Sequence, residues 1–200
     1  MAALKSDLAV PVRTPVVILF AETRGFTRTS EMLEPSVVLA RVSEFFALVW
    51  AAVERNGGAV RNVLNDNLVA SFAGADNARR AVQAAQDIQQ DFAAFEEALE
   101  HGYGIRAAVA IGLHAGDAVV GLAGGPMLGQ SLIIGDSVSV AERLLHRARA
   151  GEYVLSKALM DTLAAAGFAP EAKELPPLEM PRRDPMRLFG VLRDARLDFT

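Results

Sequence analysis

"PVVILFAETRGFT", residues 15–27, is the stretch on which the reading of this chain turns. Val16, Val17, Ile18, Leu19 and Phe20 follow one another without a polar break. That pattern suits a strand buried on both faces, since a half-exposed strand would alternate. The run delivers the chain to an acid, Glu22, and then to an Arg-Gly-Phe-Thr turn. A carboxylate at the end of a buried strand, beside a glycine turn, is a good place to hold a cation and a phosphate chain.

Outward from that strand, "PSVVLARVSEFFALVWAAVERNGG" opens on Pro35 and stops at Gly57-Gly58. Val38, Leu39, Val42, Phe45, Phe46 and Val49 recur at helical spacing within it. The stripe Phe45, Phe46, Val49, Trp50 reads as core, with part of it available to a dimer face. "AVRNVLNDNLVASF" divides into two short apolar arms around Asn65-Asp66-Asn67, so a β-hairpin with Asp66 at its tip is expected. Strand alternation sends Arg61 and Asn62 to opposite faces of that hairpin. "DNARRAVQAAQDIQQDFAAFEEALEHG" reads as a long amphipathic helix with an Asp cap and a Gly stop.

"YGIRAAVAIGLHAGDAVVGLAG" reads as two strands around a turn at His114-Ala115-Gly116-Asp117. "SLIIGDSVSVAERLLHRARAGEYVLS" gives strand, helix from about Asp136, then strand. A helix near 157–166, a Pro-rich segment and a closing strand in "RLFGVL" complete the order. This is an α+β sheet covered by helices. A short arm (1–13), one domain (14–195) and a tail (196–200) are expected. No internal repeat is visible.

Composition removes several classes of function. The chain of 200 residues has no cysteine, so disulfides, thiolate metal sites and cysteine nucleophiles are absent. A formal net charge of -4 and 6% aromatic residues argue against a nucleic-acid partner. No apolar run approaches the ~18 residues of a membrane span, and the N-terminus lacks the pattern of a signal peptide. No membrane association and a cytoplasmic location are expected. The glycine cluster "GLAGGPMLG" lacks the ending of a P-loop and reads as flexible linkage. His114 reads as structural, and His101 and His146 as surface residues.

Four segments in register resemble one family. "LFAETRGFT", "GGAVRNVLNDNLVASF", "IGLHAGDAVVG" and "GDSVSVAERLLHRARAGEYVLS" are similar, in order and spacing, to segments of class III adenylate and guanylate cyclase domains. The resemblance runs from about Val16 to Val191. It implies a ferredoxin-like α+β fold, a largely antiparallel sheet covered by helices, working as a head-to-tail dimer with its active sites at the interface. It further implies conversion of a nucleoside triphosphate, ATP or GTP, to a 3′,5′-cyclic nucleotide and pyrophosphate. Two divalent ions, Mg²⁺ or Mn²⁺, serve that reaction. The partner is a second cyclase domain, identical or not.

Carried over residue by residue, the resemblance puts metal ligands at Glu22, where an aspartate is usual, at Asp66, and at the carbonyl of Thr23. Backbone N–H groups of Gly25, Phe26 and Thr27 would cradle phosphate oxygens. Arg143 matches the arginine that meets transition-state charge. Ser139 stands where an asparagine is usual, and Asn62 and Leu132 fall on the positions that read the purine. Neither the adenine-reading nor the guanine-reading pair is present, and Leu132 has no hydrogen-bonding group. Further triphosphate contacts would come from Arg182, Arg183 or Arg187. Taken alone, Glu22 is equally a strand-end carboxylate, Asp66 a turn residue and Arg143 an exposed helix arginine. The departures imply a weak or silent cyclase; the alternative is a non-catalytic signalling module that binds nucleotide or a partner subunit.

Overall fold

The computed structural model describes residues 12–64, 66–123, 130–181 and 183–193. The elements are β1 (Val12–Arg24), α1 (Phe26–Met32), α2 (Pro35–Arg55), β2 (Ala59–Leu64), β3 (Asn67–Ala73), α3 (Asn77–Tyr103), β4 (Ala108–Ala123), β5 (Gln130–Ile134), α4 (Asp136–Arg147), β6 (Glu152–Ser156), α5 (Lys157–Ala165), β7 (Lys173–Leu178) and β8 (Met186–Leu192). The strands form one sheet in the order β2-β3-β1-β4-β6-β8-β7, with β5 paired to β4. Among the described residues, every pairing is antiparallel except β4–β6.

The apolar run of the opening stretch explains why β1 lies inside the sheet. Val17, Leu19 and Ala21 pack with residues of α2, α3 and α5 on one face. Val16, Ile18 and Phe20 pack with Val140, Ala141, Leu144 and Leu145 of α4 on the other. An interior strand must be apolar on both sides because helices cover both sides. α4 comes very close to the sheet at Gly112, where a Cβ would meet Ala141 O at 2.5 Å and collide with Leu145 N.

Three expectations are corrected. Residues 108–123 form one strand without a break at His114–Asp117. These residues are held by pairing with β1, as in Ile18↔His114, Val17↔Ala115 and Pro15↔Asp117. Pairing along a neighbouring strand overrides the turn tendency of Gly and Asp. Arg61 does not face away from Asn62. The β2–β3 register steps from Val60↔Ala70 to Asn62↔Val69, a β-bulge at Arg61. Trp50 is 45% exposed, although Phe45 and Val49 are buried. Two elements are added, the short helix α1 and the strand β7, which runs through the Pro-rich segment. Asp76 precedes α3, yet its side chain makes no cap bond; Gly104 ends the helix at φ 67°.

α2 is one helix long and apolar enough to cross a membrane by length and composition, with mean hydropathy 1.7. It contributes Phe45, Val49, Ala52 and Val53 to the core under the sheet. Residues 1–11 of the expected arm (1–13), the turn residue Asn65, most of the glycine cluster (124–129), Arg182 and residues 194–200, which include the expected tail (196–200), lie outside the described residues; Val12 and Arg13 of the arm belong to β1.

His114 is structural. It is buried on β4, and its Nδ1 lies 2.8 Å from Ser156 Oγ, which also accepts the Leu159 N–H at the start of α5. Burial lowers its pKa from 6.5 to about 4; Asp136 opposes that shift and Arg183 adds to it. The folded protein therefore holds a neutral imidazole that the unfolded chain protonates near 6.5. The resulting stability is complete above 6.5 and is lost as pH falls through the window down to about 4. The expected slope approaches about 1.4 kcal/mol per pH unit from this group alone. Urea midpoints measured between pH 7 and pH 4.5 test it; a His114→Asn variant should show a flatter acid limb.

Candidate metal and phosphate site

β1 carries Glu22 to the edge of the packed core. Glu22 lies opposite Asn67 of β3 on one side and Ala110 of β4 on the other. Asp66, one residue before Asn67, is thereby brought beside it at the mouth of the β2–β3 hairpin. Both acids are half-buried. Glu22 has its pKa raised, chiefly by burial; Arg24 opposes, the charge of Asp66 adds, and His146 opposes. Asp66 is likewise raised by burial, against a bond to its own backbone and the pull of Arg24. Two carboxylates kept from full solvation beside each other are uncomfortable as anions, which is the electrostatic condition a bound cation relieves.

Arg24 supplies part of that relief. Its Nη1 donates to Glu22 Oε1 at 2.5 Å. Its Nη2 donates to the carbonyls of Leu145 at 2.9 Å and Ala148 at 3.1 Å, at the end of α4. Ala148 caps α4, and the Leu145 carbonyl also accepts the Ala148 N–H at 3.1 Å. The guanidinium is thus fixed from two sides, and one edge is spent on the acid.

The turn after β1 is set by Gly25. Its φ of 95° is left-handed, and a Cβ there would meet Arg106 O at 2.7 Å. Gly25 caps α1, accepting from Thr29 N at 3.1 Å and from Thr29 Oγ1 at 3.0 Å. Phe26 and Thr27 are the first helical residues, whose N–H groups have no partner one turn back. Thr23 is buried within β1 and opposite Val109, and its side chain lines a small cavity with Phe26, Thr29, Arg41 and Phe45.

Ser139 and Arg143 stand one turn apart on the exposed side of α4, opposite the buried Val140, Ala141, Leu144 and Leu145. Asn62 is half-buried on β2, on the face shared with Val69 and α4. Leu132 is half-buried on β5, opposite Gly121. β5 also lies against β2, so the two positions fall in one region of the molecule. Arg183 forms a two-pronged ion pair with Asp136, at 2.8 and 2.7 Å, and Arg187 one with Glu174, at 2.7 and 3.0 Å.

A divalent ion fits the donor set at Glu22 and Asp66 in kind. All side-chain donors are carboxylate oxygens, which suit Mg²⁺ and Mn²⁺. Among the described residues there is no group of three or more His, Asp or Glu side chains that could hold a metal. Two acids are what Mg²⁺ usually takes from a protein when substrate phosphates supply the rest. Arg24 stands inside the quoted turn with no role assigned to it above, and His146 is exposed at the end of α4, as expected. Only the packing of α4 against β1 reveals that both act on Glu22.

Residues 9–192 match the family model described as the adenylate and guanylate cyclase catalytic domain. An adenylate cyclase of Anabaena cylindrica is 33% identical over 133 residues, which is 64% of this chain and 26% of that protein. The chain therefore spans about a quarter of the length of that curated relative. Among solved structures, the adenylyl cyclase CyaB of P. aeruginosa superposes with a TM-score of 0.81 at 19% identity, covering 96% of this chain and 100% of that one. That likeness is one of fold alone. An adenylate/guanylate cyclase/hydrolase from Silicibacter pomeroyi superposes at 0.74 with 26% identity, covering 92% and 100%.

Proposed function

The chain belongs to the adenylate and guanylate cyclase catalytic domain family, and from that premise we propose that it binds a metal–nucleoside triphosphate and cyclises it slowly. The substrate is ATP or GTP, and the products are the 3′,5′-cyclic nucleotide and pyrophosphate. The observation that carries the reading is the meeting of Glu22 and Asp66, half-buried and each pushed up by burial, beside the Gly25 turn.

In this reading Glu22, Asp66 and the Thr23 carbonyl hold Mg²⁺ or Mn²⁺. The ion, when bound, neutralises phosphate charge and eases loss of the 3′-hydroxyl proton. Gly25, Phe26 and Thr27 direct backbone N–H groups at phosphate oxygens. Arg143 and Ser139 are exposed on α4 and reach a substrate only if a second domain, identical or related, brings one against them. The proposal is therefore of a dimer, each of whose sites draws on both partners. Arg143 then meets charge that develops on the phosphate.

The expected rate is low for stated reasons. Glu22 is longer than an aspartate by one methylene, and a displacement of about 1 Å at a reacting centre costs on the order of 10²-fold. Ser139 offers a shorter donor than an amide, and losing one donor to the transition state costs roughly 10²–10³-fold. These factors do not simply multiply. The Arg24 clamp favours a second reading, a non-catalytic module, because a fixed guanidinium already neutralises Glu22.

Pyrophosphate release with Mn²⁺ and each of ATP, GTP, CTP and UTP separates them. Slow turnover, abolished by Asp66→Asn, is the expected result. Nucleotide binding without turnover gives the second reading. Turnover of any triphosphate near a typical ~10 s⁻¹ would sink both.

A further inference from the structure

We infer that Arg24 gates the Glu22–Asp66 pair against a lone cation, so that the pair takes a divalent ion only together with a polyphosphate, to which Arg24 transfers its Nη1 contact. The inference rests on the proposed metal–nucleotide reading and names how that site is filled.

The gate follows from how Arg24 is held. Glu22 and Arg24 are two residues apart on β1 and share a face, while Thr23 between them lines a cavity on the other. Nη1 donates to Glu22 Oε1 at 2.5 Å, and Nη2 to the Leu145 and Ala148 carbonyls at 2.9 and 3.1 Å. The three acceptors differ in kind. The two carbonyls are backbone atoms at the end of α4, so they fix the guanidinium in place. Glu22 is the acid on which a cation here depends, and Arg24 stands on one of its oxygens. Burial raises the pKa of both acids, and the charge of Arg24 opposes that rise in each. One fixed positive charge thus already serves the pair.

Opening the gate has an electrostatic condition. The side chains of Arg24 and Glu22 are only 19% and 15% exposed, so water does little to replace a broken contact. Surrendering Glu22 Oε1 to a lone divalent ion leaves the guanidinium without its anion and beside a like charge. Phosphate oxygens arriving with the ion remove that penalty, because Nη1 then exchanges a carboxylate oxygen for a phosphate oxygen. The exchange is local. Arg24 immediately precedes Gly25, Phe26 and Thr27, whose N–H groups are the proposed phosphate cradle. Nη2 keeps its carbonyls throughout. Cation and anion are thus coupled through one side chain, and each strengthens binding of the other.

Calorimetric titration of the full chain with Mn²⁺ alone, and with Mn²⁺ in complex with inorganic triphosphate, separates the two halves of the gate. Arg24→Gln is expected to bind Mn²⁺ alone about 5- to 150-fold tighter than the unaltered protein does, the usual span of a coupling between two ligands. The same variant is expected to bind the Mn²⁺–triphosphate complex more weakly, by a factor in that range. A side chain that only braced the fold would shift both affinities in one direction. Glu22→Gln and Asp66→Asn give a second measurement that leaves Arg24 intact. Each removes one negative charge, but only Glu22 holds Nη1. Glu22→Gln should therefore bind triphosphate without metal at least about fivefold tighter than Asp66→Asn does. Equal binding by those two variants overturns the inference, as does an Arg24→Gln protein whose two affinities move together or not at all. In either case, Mn²⁺–triphosphate binding by the unaltered protein leaves the nucleotide reading standing. If the unaltered protein binds neither Mn²⁺ nor its triphosphate complex, that reading fails and this inference with it.

Discussion

Glu22→Asp is expected to raise Mn²⁺-dependent pyrophosphate release by about 10²-fold, the factor attached to a misplacement of about 1 Å at a reacting centre. Arg24 closes β1, but its guanidinium is held by the Leu145 and Ala148 carbonyls at 2.9 and 3.1 Å, at the end of α4. Glu22 in turn is fixed on both sides by pairing with Asn67 and Ala110. The 2.5 Å bond therefore joins two side chains of β1, one of which has its far end anchored on α4. Shortening the acid by a methylene withdraws its carboxylate from the guanidinium. A cation then finds two carboxylates of which neither is directly bonded to Arg24. Initial rates and Mn²⁺ titrations of Glu22→Asp, Asp66→Asn and the unaltered protein measure this together. A Glu22→Asp protein no faster than the parent would mean that reach and the Arg24 clamp are not what limits the site. An Asp66→Asn protein that keeps its Mn²⁺ dependence would remove the carboxylate pair from the account altogether.

The sequence disclosed the parts of this site that depend on short stretches of chain, and missed those that depend on how elements meet. The buried run from Val16 to Phe20, the acid after it, and the hairpin holding Asp66 were legible because each is a local pattern. So were the helix from Pro35 to Arg55 and the one from Asp136. The continuous β4 was not legible, because Gly116 and Asp117 carry turn tendencies that only pairing with Val16 and Pro15 overrides. Nor was the bulge at Arg61, because alternation is the default and nothing in "AVRNV" marks an extra residue. Arg24 shows the same limit. Its neighbours in sequence suggest a turn, while its partners Leu145 and Ala148 lie more than a hundred residues away along the chain.

The second large effect concerns the contact that holds α4 in place. Gly112 sits in the middle of the sheet, between Phe20 of β1 and Val154 of β6, on the face that α4 covers. A Cβ there would meet the Ala141 carbonyl at 2.5 Å and clash with the Leu145 amide. Both are backbone atoms of a helix, so no rotamer change relieves the overlap. Gly112→Ala is expected to cost about 3 kcal/mol, the upper part of the range for forcing extra volume into a packed interior. That corresponds to a fall in melting temperature of roughly 6–12 °C for a domain of this size. Gly102→Ala is the matched control, because its added Cβ meets nothing within 4 Å and it lies in α3. There the same change should stabilise, by up to about 1 kcal/mol, since alanine is the better helix former. The consequence reaches the site. α4 carries Ser139, Arg143 and the carbonyls that anchor Arg24. Lifting it from the sheet should loosen the grip on Glu22 as well as lower stability. Gly112→Ala protein that still folds should therefore show a changed Mn²⁺ titration, whereas Gly102→Ala should not. A Gly112→Ala protein that melts with the parent would show that α4 does not lie against β4 as closely as this packing requires.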